Sequence, residues 1–270
     1  NQFGRVAFLV AVMTVITMDQ KLPAAEAVSP PDANTTASAA ATDLKERLEA
    51  LRSKHKLPAL AAAVIKGQTT VALGAVGIRK DGGAENVTDE DKFHIGSCTK
   101  SMTATLAAML VEEGKLKWTT KLADVFPERA AAMHADYRDV TLEQLLSQRG
   151  GAPTSLDADG LWGRIWEHKG TPTEQRLFLL DGVVTKAPAA TPGTKYIYSN
   201  AGYAIAGAML ERITSTPWEE LVRERLFKPL GMSSACFGAP ASVGKVDQPW
   251  GHTAGLMSLK PVPPGPRADN

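Results

Sequence analysis

The chain has 270 residues, 44% of them hydrophobic, and its 30 Lys and Arg residues nearly balance 29 Asp and Glu residues. This length suffices for one large domain or two modest ones with apolar cores. Because the basic residues form no stripe or tail, we expect no nucleic-acid partner. The five histidines are scattered without the spacing of metal ligands, so the sequence implies no metal and no cofactor.

Residues 1–27 have the features of a secretory signal peptide. Arg5 supplies the basic start, an uncharged apolar run covers residues 6–18, and residues 25–27 (Ala-Glu-Ala) fit a small-x-small cleavage site. The apolar run is short for a bilayer span, and an uncleaved membrane anchor is the alternative. We therefore predict a periplasmic or secreted protein with no stable membrane span after signal cleavage.

The next part of the chain combines a linker, a helix and a hairpin. Residues 28–41 are of low complexity and predict a flexible linker. Leucines at helical spacing predict a first helix over 43–55. Two apolar stretches, 60–65 and 70–78, flank a Lys-Gly-Gln turn and predict a β-hairpin. Because a lone hairpin does not make a stable sheet, we expect partner strands outside this chain.

From Ser97 onward the pattern is mostly helical, after a short extended piece at 93–96. After Gly231 the sequence becomes rich in Pro and Gly and predicts loops to the end. Strands followed by many helices favour an α+β protein over an alternating α/β one. The predicted helices cover residues 100–113, 141–148, 173–181, 201–214 and 217–227, with a short turn or helix at 122–127.

Residues 97–100 (Ser-Cys-Thr-Lys) form a Ser-x-x-Lys sequence that can activate a serine hydroxyl. On a helix, side chains three positions apart share a face, with Cβ atoms about 5–6 Å apart. A serine hydroxyl is a weak nucleophile until a neighbour takes its proton, and a lysine amine can do so. Two further matches begin at Ser53 and Ser242, but only Ser97 lies between an extended segment and a long apolar helix.

A second candidate element, Tyr198-Ser199-Asn200, precedes an apolar predicted helix. Beside a lysine ammonium a tyrosine phenolate is favoured, so Tyr198 can relay a proton. The Asn200 amide can donate and accept hydrogen bonds, which suits a substrate carbonyl or amide. Taken alone, the same residues also fit an ordinary turn in which Asn200 caps the helix.

Together these motifs resemble the serine β-lactamase/penicillin-binding superfamily, in particular its class C β-lactamase-like branch. The resemblance covers roughly residues 42–270. Further matches occur in order at residues 93–96 (Phe-His-Ile-Gly), 145–147 (Leu-Leu-Ser), 192–193 (Pro-Gly), 196–203 (Tyr-Ile-Tyr-Ser-Asn-Ala-Gly-Tyr) and 227–232 (Phe-Lys-Pro-Leu-Gly-Met).

The resemblance implies a role for each candidate residue. Ser97 would be the acylated nucleophile, Lys100 and Tyr198 the general base and acid, and Asn200 a substrate contact. The backbone N–H of Ser97 would supply half of an oxyanion hole.

The resemblance also implies an α+β fold, a mixed α/β domain with an antiparallel sheet plus an inserted helical domain. The segments then divide into a signal peptide and linker, an N-terminal part of the α/β domain, a mainly helical domain and a loop-rich end. Their residues are 1–27, 28–41, 42–95, 96–240 and 241–270.

The sequence departs from the family in one respect. A third motif, Lys or His followed by Thr or Ser and then Gly, is absent. The nearest imitation, His252-Thr253-Ala254-Gly255, has Ala where Gly is needed and no strand pattern around it, so we interpret 249–252 as a loop. With an Asn start and a Pro-rich end, we expect a C-terminally truncated fragment that lacks closing strands and a helix.

The sequence therefore predicts a serine hydrolase acting through an acyl-Ser97 intermediate on β-lactam, ester or D-amino-acid amide bonds. Its substrate would be a small molecule or peptidoglycan-like, and the fragment itself is expected to be inactive. A non-catalytic pseudoenzyme that binds peptidoglycan or another ligand is the alternative. The sequence does not define an oligomeric state.

Overall fold

The computed structural model describes residues 33–67, 69–157, 159–254 and 259–265. The predicted signal peptide, residues 1–27, lies outside this part of the chain. The chain divides into two compact units: one draws on the residues up to Gly96 and from Cys236 onward, and the other is Ser97–Ala235. None of the helices in the described ranges is long and apolar enough to cross a membrane.

The first unit contains one helix against a hairpin. Helix α1 (Ala33–His55) packs on strands β1 (Ala59–Lys66) and β2 (Thr69–Gly77), which pair antiparallel as predicted. The linker prediction for 28–41 differs from the structure, because residues 33–41 belong to α1. Alanine has the highest helix propensity, and this Ala-rich stretch extends the helix toward the N-terminus.

The hairpin is closed at its base by a close backbone approach at Gly77. This residue has a φ of +100°, and a Cβ added there would lie 2.1 Å from the carbonyl oxygen of Pro58. Only glycine avoids that clash. Beyond the strand, Arg79 forms an ion pair with the buried carboxylate of Asp91, which ties the following loop to β2.

A second hairpin corrects the prediction that 241–270 is all loop. Strands β3 (Gly251–Ala254) and β4 (Leu259–Val262) pair antiparallel, with His252 opposite Pro261. The segment at 252–254, for which we expected no strand, is therefore a strand. Four-residue strands that contain glycine or proline show no alternation long enough to read from sequence.

The second unit is helical. A 3₁₀ turn (Gly96–Cys98) spans the boundary between the units and leads into helix α2. The sequence pattern indicated most of these helices but missed α4 and α6, since each is only one or two turns long. The helices are α2 (Thr99–Glu112), α3 (Leu122–Val125), α4 (Ala135–Arg138), α5 (Leu142–Leu146), α6 (Leu161–Glu167), α7 (Pro172–Val184), α8 (Asn200–Thr214) and α9 (Trp218–Val222), which a π-helical turn (Arg223–Phe227) follows.

Side-chain caps fix where these helices begin. Helix α5 begins with a capping box, in which Thr141 Oγ1 accepts from the backbone N–H of Gln144 and the Gln144 side chain accepts from the backbone N–H of Thr141. Helix α8 is capped by Ser199, which accepts from Gly202 N–H, so Asn200 is its first helical residue and not its cap. The cap leaves the Asn200 amide available for other partners.

Helix α8 lies at the centre of this unit and contacts α2, α5 and α7. Ile205, Ala206 and Leu210 on α8 are fully buried. Helix α2 buries Leu106 and Leu110 but leaves other positions accessible. This packing holds the first turns of α2 and α8 in fixed positions.

Candidate active site

The 3₁₀ turn at Gly96–Cys98 and the first turn of α2 bring Ser97 and Lys100 together. The Lys100 ammonium donates to Ser97 Oγ at 3.1 Å, the contact that the three-residue spacing predicted. The other Ser-x-x-Lys sequences have different surroundings. Ser53 Oγ donates to a Glu49 carboxylate oxygen at 2.9 Å, and the backbone N–H of Ser242 donates to Asp247 at 2.9 Å.

The segment that enters α8 completes the cluster. Tyr198 OH lies 2.6 Å from Ser97 Oγ, and Asn200 Oδ1 accepts from the Lys100 ammonium at 2.7 Å. The two motifs are about one hundred positions apart in sequence, yet the four predicted site residues meet in one place. Because Ser97 Oγ contacts both a cation and a phenol, both groups are close enough to assist the removal of its proton.

The electrostatics of the cluster favour a tyrosine phenolate. Partial burial raises the pKa of Tyr198, but hydrogen bonds with Lys100 and Ser97 and the Lys100 charge outweigh it, and the pKa falls below its ordinary value. The Lys100 ammonium also lies 4.9 Å from the centre of the Tyr198 ring and 5.6 Å from that of Tyr203. The tyrosine faces thus stabilise the cation beside the serine.

The side chains of the candidate site are partly exposed. Tyr198 is 40% exposed and its neighbour Tyr196 is 61% exposed, while Lys100 is half-buried. Ser97 lies just before α2, so the positive end of the helix dipole favours negative charge developing there. A substrate carbonyl that reaches Ser97 would therefore meet a hydroxyl, a cation and a helix N-terminus at once.

The sequence did not indicate Gln148, which bonds to the backbone next to Tyr198. Its side-chain oxygen accepts from the backbone N–H of Ser199 at 2.8 Å, across 51 positions of sequence. Such a contact has no local sequence signal, since it joins a side chain to a backbone group that any residue supplies. The predicted helix over 141–148 was the nearest detectable feature.

The structure gives His252 a role in the other unit. Its Nε2 accepts from the backbone N–H of Asp81 at 2.9 Å, and burial lowers its pKa. This hydrogen bond fastens β3 to the turn after β2. Within the described residues, His252 thus contributes to local structure in the hairpin unit.

Comparison with known proteins agrees with this geometry. The sequence matches the Beta-lactamase family over residues 44–269. The chain belongs to this family. The resemblance to the serine β-lactamase/penicillin-binding superfamily and the expected α+β fold are thereby confirmed.

The similar proteins include a penicillin-binding protein and a hydrolase. It is 34% identical over 188 residues to penicillin-binding protein 4 of Amycolatopsis lactamdurans, covering 70% of this chain and 47% of that protein. It is 28% identical over 229 residues to the unguisins hydrolase ungD' of Aspergillus campestris, covering 82% of this chain and 41% of that enzyme. The chain therefore spans about half the length of these curated relatives, and family members include hydrolases.

A solved structure shows the same fold. The octameric penicillin-binding protein homologue from Pyrococcus abyssi superposes with a TM-score of 0.66 at 26% sequence identity. The match covers 84% of this chain and 52% of that protein. The chain thus has the α+β fold of this family, with helices and small antiparallel sheets.

Proposed function

We propose that this chain carries the nucleophilic centre of a serine hydrolase that forms an acyl-Ser97 intermediate. The observation that carries the proposal is the convergence of Lys100 and Tyr198 on Ser97 Oγ, at 3.1 Å and 2.6 Å. Both distances allow direct proton transfer or charge stabilisation without an intervening group. Membership of a family that includes hydrolases supports the same conclusion.

The proposed first step is acyl transfer to the serine. Ser97 Oγ attacks the substrate carbonyl carbon while its proton passes to the Tyr198 phenolate, which the Lys100 cation stabilises. The new ester bond forms, the scissile C–N or C–O bond breaks, and Tyr198 returns the proton to the leaving nitrogen or oxygen. The Ser97 backbone N–H would donate to the developing oxyanion.

The second step is hydrolysis of that ester. Water attacks the acyl carbon, the C–Oγ bond breaks, and one proton restores the serine hydroxyl while the acid product departs. Asn200 accepts from Lys100 at 2.7 Å, which keeps the ammonium next to the reacting serine in both steps. We assign the substrates to the β-lactam, ester or D-amino-acid amide class, as a small molecule or a peptidoglycan-like chain.

We further propose that the protein works in the periplasm or outside the cell. The signal-like residues 1–27 support that location, and N-terminal sequencing of the exported protein tests it. An exported chain that still begins at Asn1 would refute cleavage.

Covalent capture tests the catalytic proposal. The full-length protein is treated with a fluorophosphonate or a fluorescent penicillin, and the labelled peptide is identified by mass spectrometry. Ser97→Ala should abolish labelling. Ser101→Ala is the matched control, because Ser101 is an exposed serine on the same helix whose hydroxyl donates to the Cys98 carbonyl.

Lys100→Ala should slow labelling by about 10²–10⁴-fold, because the general base Tyr198 then loses the cation that stabilises its phenolate. Labelling that persists in Ser97→Ala would refute the proposed nucleophile. Reversible binding of penicillin to a folded wild-type chain, unchanged in Ser97→Ala and without covalent product, would instead favour the non-catalytic binding protein.

A further inference from the structure

Gln148 has a backbone conformation that glutamine rarely adopts. Its φ is +61°, in the left-handed region, and its side chain is only 7% exposed. A side chain in this region costs about 1–2 kcal/mol relative to ordinary backbone geometry. Such residues persist where the surrounding structure fixes them, and they cluster at active sites. The unusual conformation therefore raises the question of what Gln148 holds in place.

Gln148 holds both neighbours of Tyr198. Its side-chain oxygen accepts from Ser199 N–H at 2.8 Å, and its backbone carbonyl accepts from Ile197 N–H at 2.8 Å. One residue thus binds the backbone N–H groups of both residues next to Tyr198. Because the backbone of Gln148 is in the left-handed region, its carbonyl and its side chain both face the segment from Ile197 to Ser199.

Nearby hydrogen bonds complete the attachment but do not replace Gln148. Ser199 Oγ donates to the Pro153 carbonyl at 2.7 Å, and Tyr203 OH donates to the Leu146 carbonyl at 2.8 Å. These bonds tie the first turn of α8 to the residues around Gln148. The backbone N–H groups of Ile197 and Ser199, on either side of Tyr198, bond to Gln148 itself.

The Tyr198 side chain needs this support because little else encloses it. With 40% of its surface exposed, the ring receives limited packing, and its backbone determines where the hydroxyl lies. The hydroxyl has to stay within hydrogen-bond distance of Ser97 Oγ, now 2.6 Å. A displacement of about 1 Å at a reacting group can reduce a rate about 100-fold.

We propose that Gln148 is a positioning residue that holds Tyr198 against Ser97. The proposal rests on the proposed function, in which Tyr198 exchanges a proton with Ser97. Gln148 acts through the backbone on either side of Tyr198, and its side-chain oxygen is the atom that matters. Position 148 therefore requires a hydrogen-bond acceptor at the end of a side chain as long as that of glutamine.

Two variants of equal length separate the acceptor from packing. Gln148→Met removes the acceptor while keeping the size, and Gln148→Glu keeps an oxygen there. We expect Gln148→Met to slow acylation of Ser97 by about 10–100-fold with little change in KM. Gln148→Glu should recover most of the rate. Gln175→Met is the matched control, because Gln175 donates to the His168 carbonyl at 2.9 Å on α7 and should leave acylation unchanged.

A second measurement does not depend on turnover. The tyrosinate absorbance of each variant is titrated with and without Tyr198→Phe, so that the difference reports the pKa of Tyr198. Loss of the contacts with Lys100 and Ser97 should move that pKa upward in Gln148→Met but not in Gln175→Met. If Gln148→Met fails to fold, Gln148→Asn serves instead, since asparagine tolerates the left-handed region and is one methylene too short.

The outcomes distinguish this inference from the proposed function. Wild-type acylation at Ser97 with an unchanged rate and an unchanged Tyr198 titration in the Gln148 variants would overturn the positioning role alone. A slowing equal to that in Gln175→Met would do the same. A folded wild-type chain that is never acylated at Ser97 would overturn both.

Discussion

Glu211 on α8 is a buried charge whose removal should strongly destabilise the protein. Its side chain is 4% exposed and pairs with Arg176, which also pairs with Glu219. Its carboxylate accepts from two guanidinium nitrogens of Arg176 at 3.1 and 2.6 Å, from Thr173 Oγ1 at 2.8 Å and from Trp218 N–H at 2.8 Å. The perturbation is Glu211→Ala.

The magnitude follows from the groups that lose their partner. Arg176 keeps its two hydrogen bonds to the Glu219 carboxylate, at 2.9 and 2.8 Å, while the Thr173 hydroxyl and the Trp218 N–H lose the acceptor given above. Breaking a buried ion pair typically costs 3–5 kcal/mol, and the retained Glu219 contact places this variant at about 3 kcal/mol. The melting temperature should fall by about 6–12 °C.

The assay is urea unfolding of the variant beside an exposed control. Glu220→Ala removes one partner of an ion pair with Arg223 at 3.3 Å, in which Glu220 is 47% exposed. That surface pair should contribute less than about 1 kcal/mol. A free energy of unfolding for Glu211→Ala within about 1 kcal/mol of Glu220→Ala would refute the reasoning that this buried network stabilises the helical unit.

Three further results are expected. Because the pKa of Tyr198 is lowered, the rate of acylation should rise with pH and level off at a pH below the ordinary tyrosine pKa. Tyr198→Phe should abolish this rise in stopped-flow labelling. The pKa of Asp91 is lowered chiefly by its hydrogen bonds from Arg79, so this carboxylate stabilises the fold above about pH 4 and loses that effect as the pH falls; thermal melts of Asp91→Asn should depend less on acid. Gly77→Ala should destabilise the first hairpin by more than about 1 kcal/mol in urea unfolding, since its Cβ would lie 2.1 Å from the Pro58 carbonyl oxygen; an unchanged midpoint would contradict the described turn.

The parts of the site that lie on one helix turn were predictable from sequence. Ser97 and Lys100 share a face because helical periodicity fixes their separation, and the apolar run after them identified the helix. The segment at Tyr198 was predictable because a polar motif directly precedes another apolar helix. Their meeting was not derivable from periodicity, and the family resemblance supplied it.

The contacts that depend on tertiary structure could not be predicted in this way. Gln148 and the ion pairs of Arg176 with Glu211 join residues that are 35 or more positions apart. Side chains of this kind look like ordinary surface residues in a sequence, since only folding determines which become buried. The short β3–β4 hairpin was missed for a different reason, because neither strand is long enough to show alternation.

The compact unit Ser97–Ala235 is continuous in sequence, and it contains Ser97, Lys100, Tyr198 and Asn200. During synthesis, these four residues emerge from the ribosome before the residues that follow Ala235. Domains generally fold as units as they emerge, so the serine and its partners can assemble early. At the level of the coding sequence, one uninterrupted stretch therefore encodes all four residues of the proposed site.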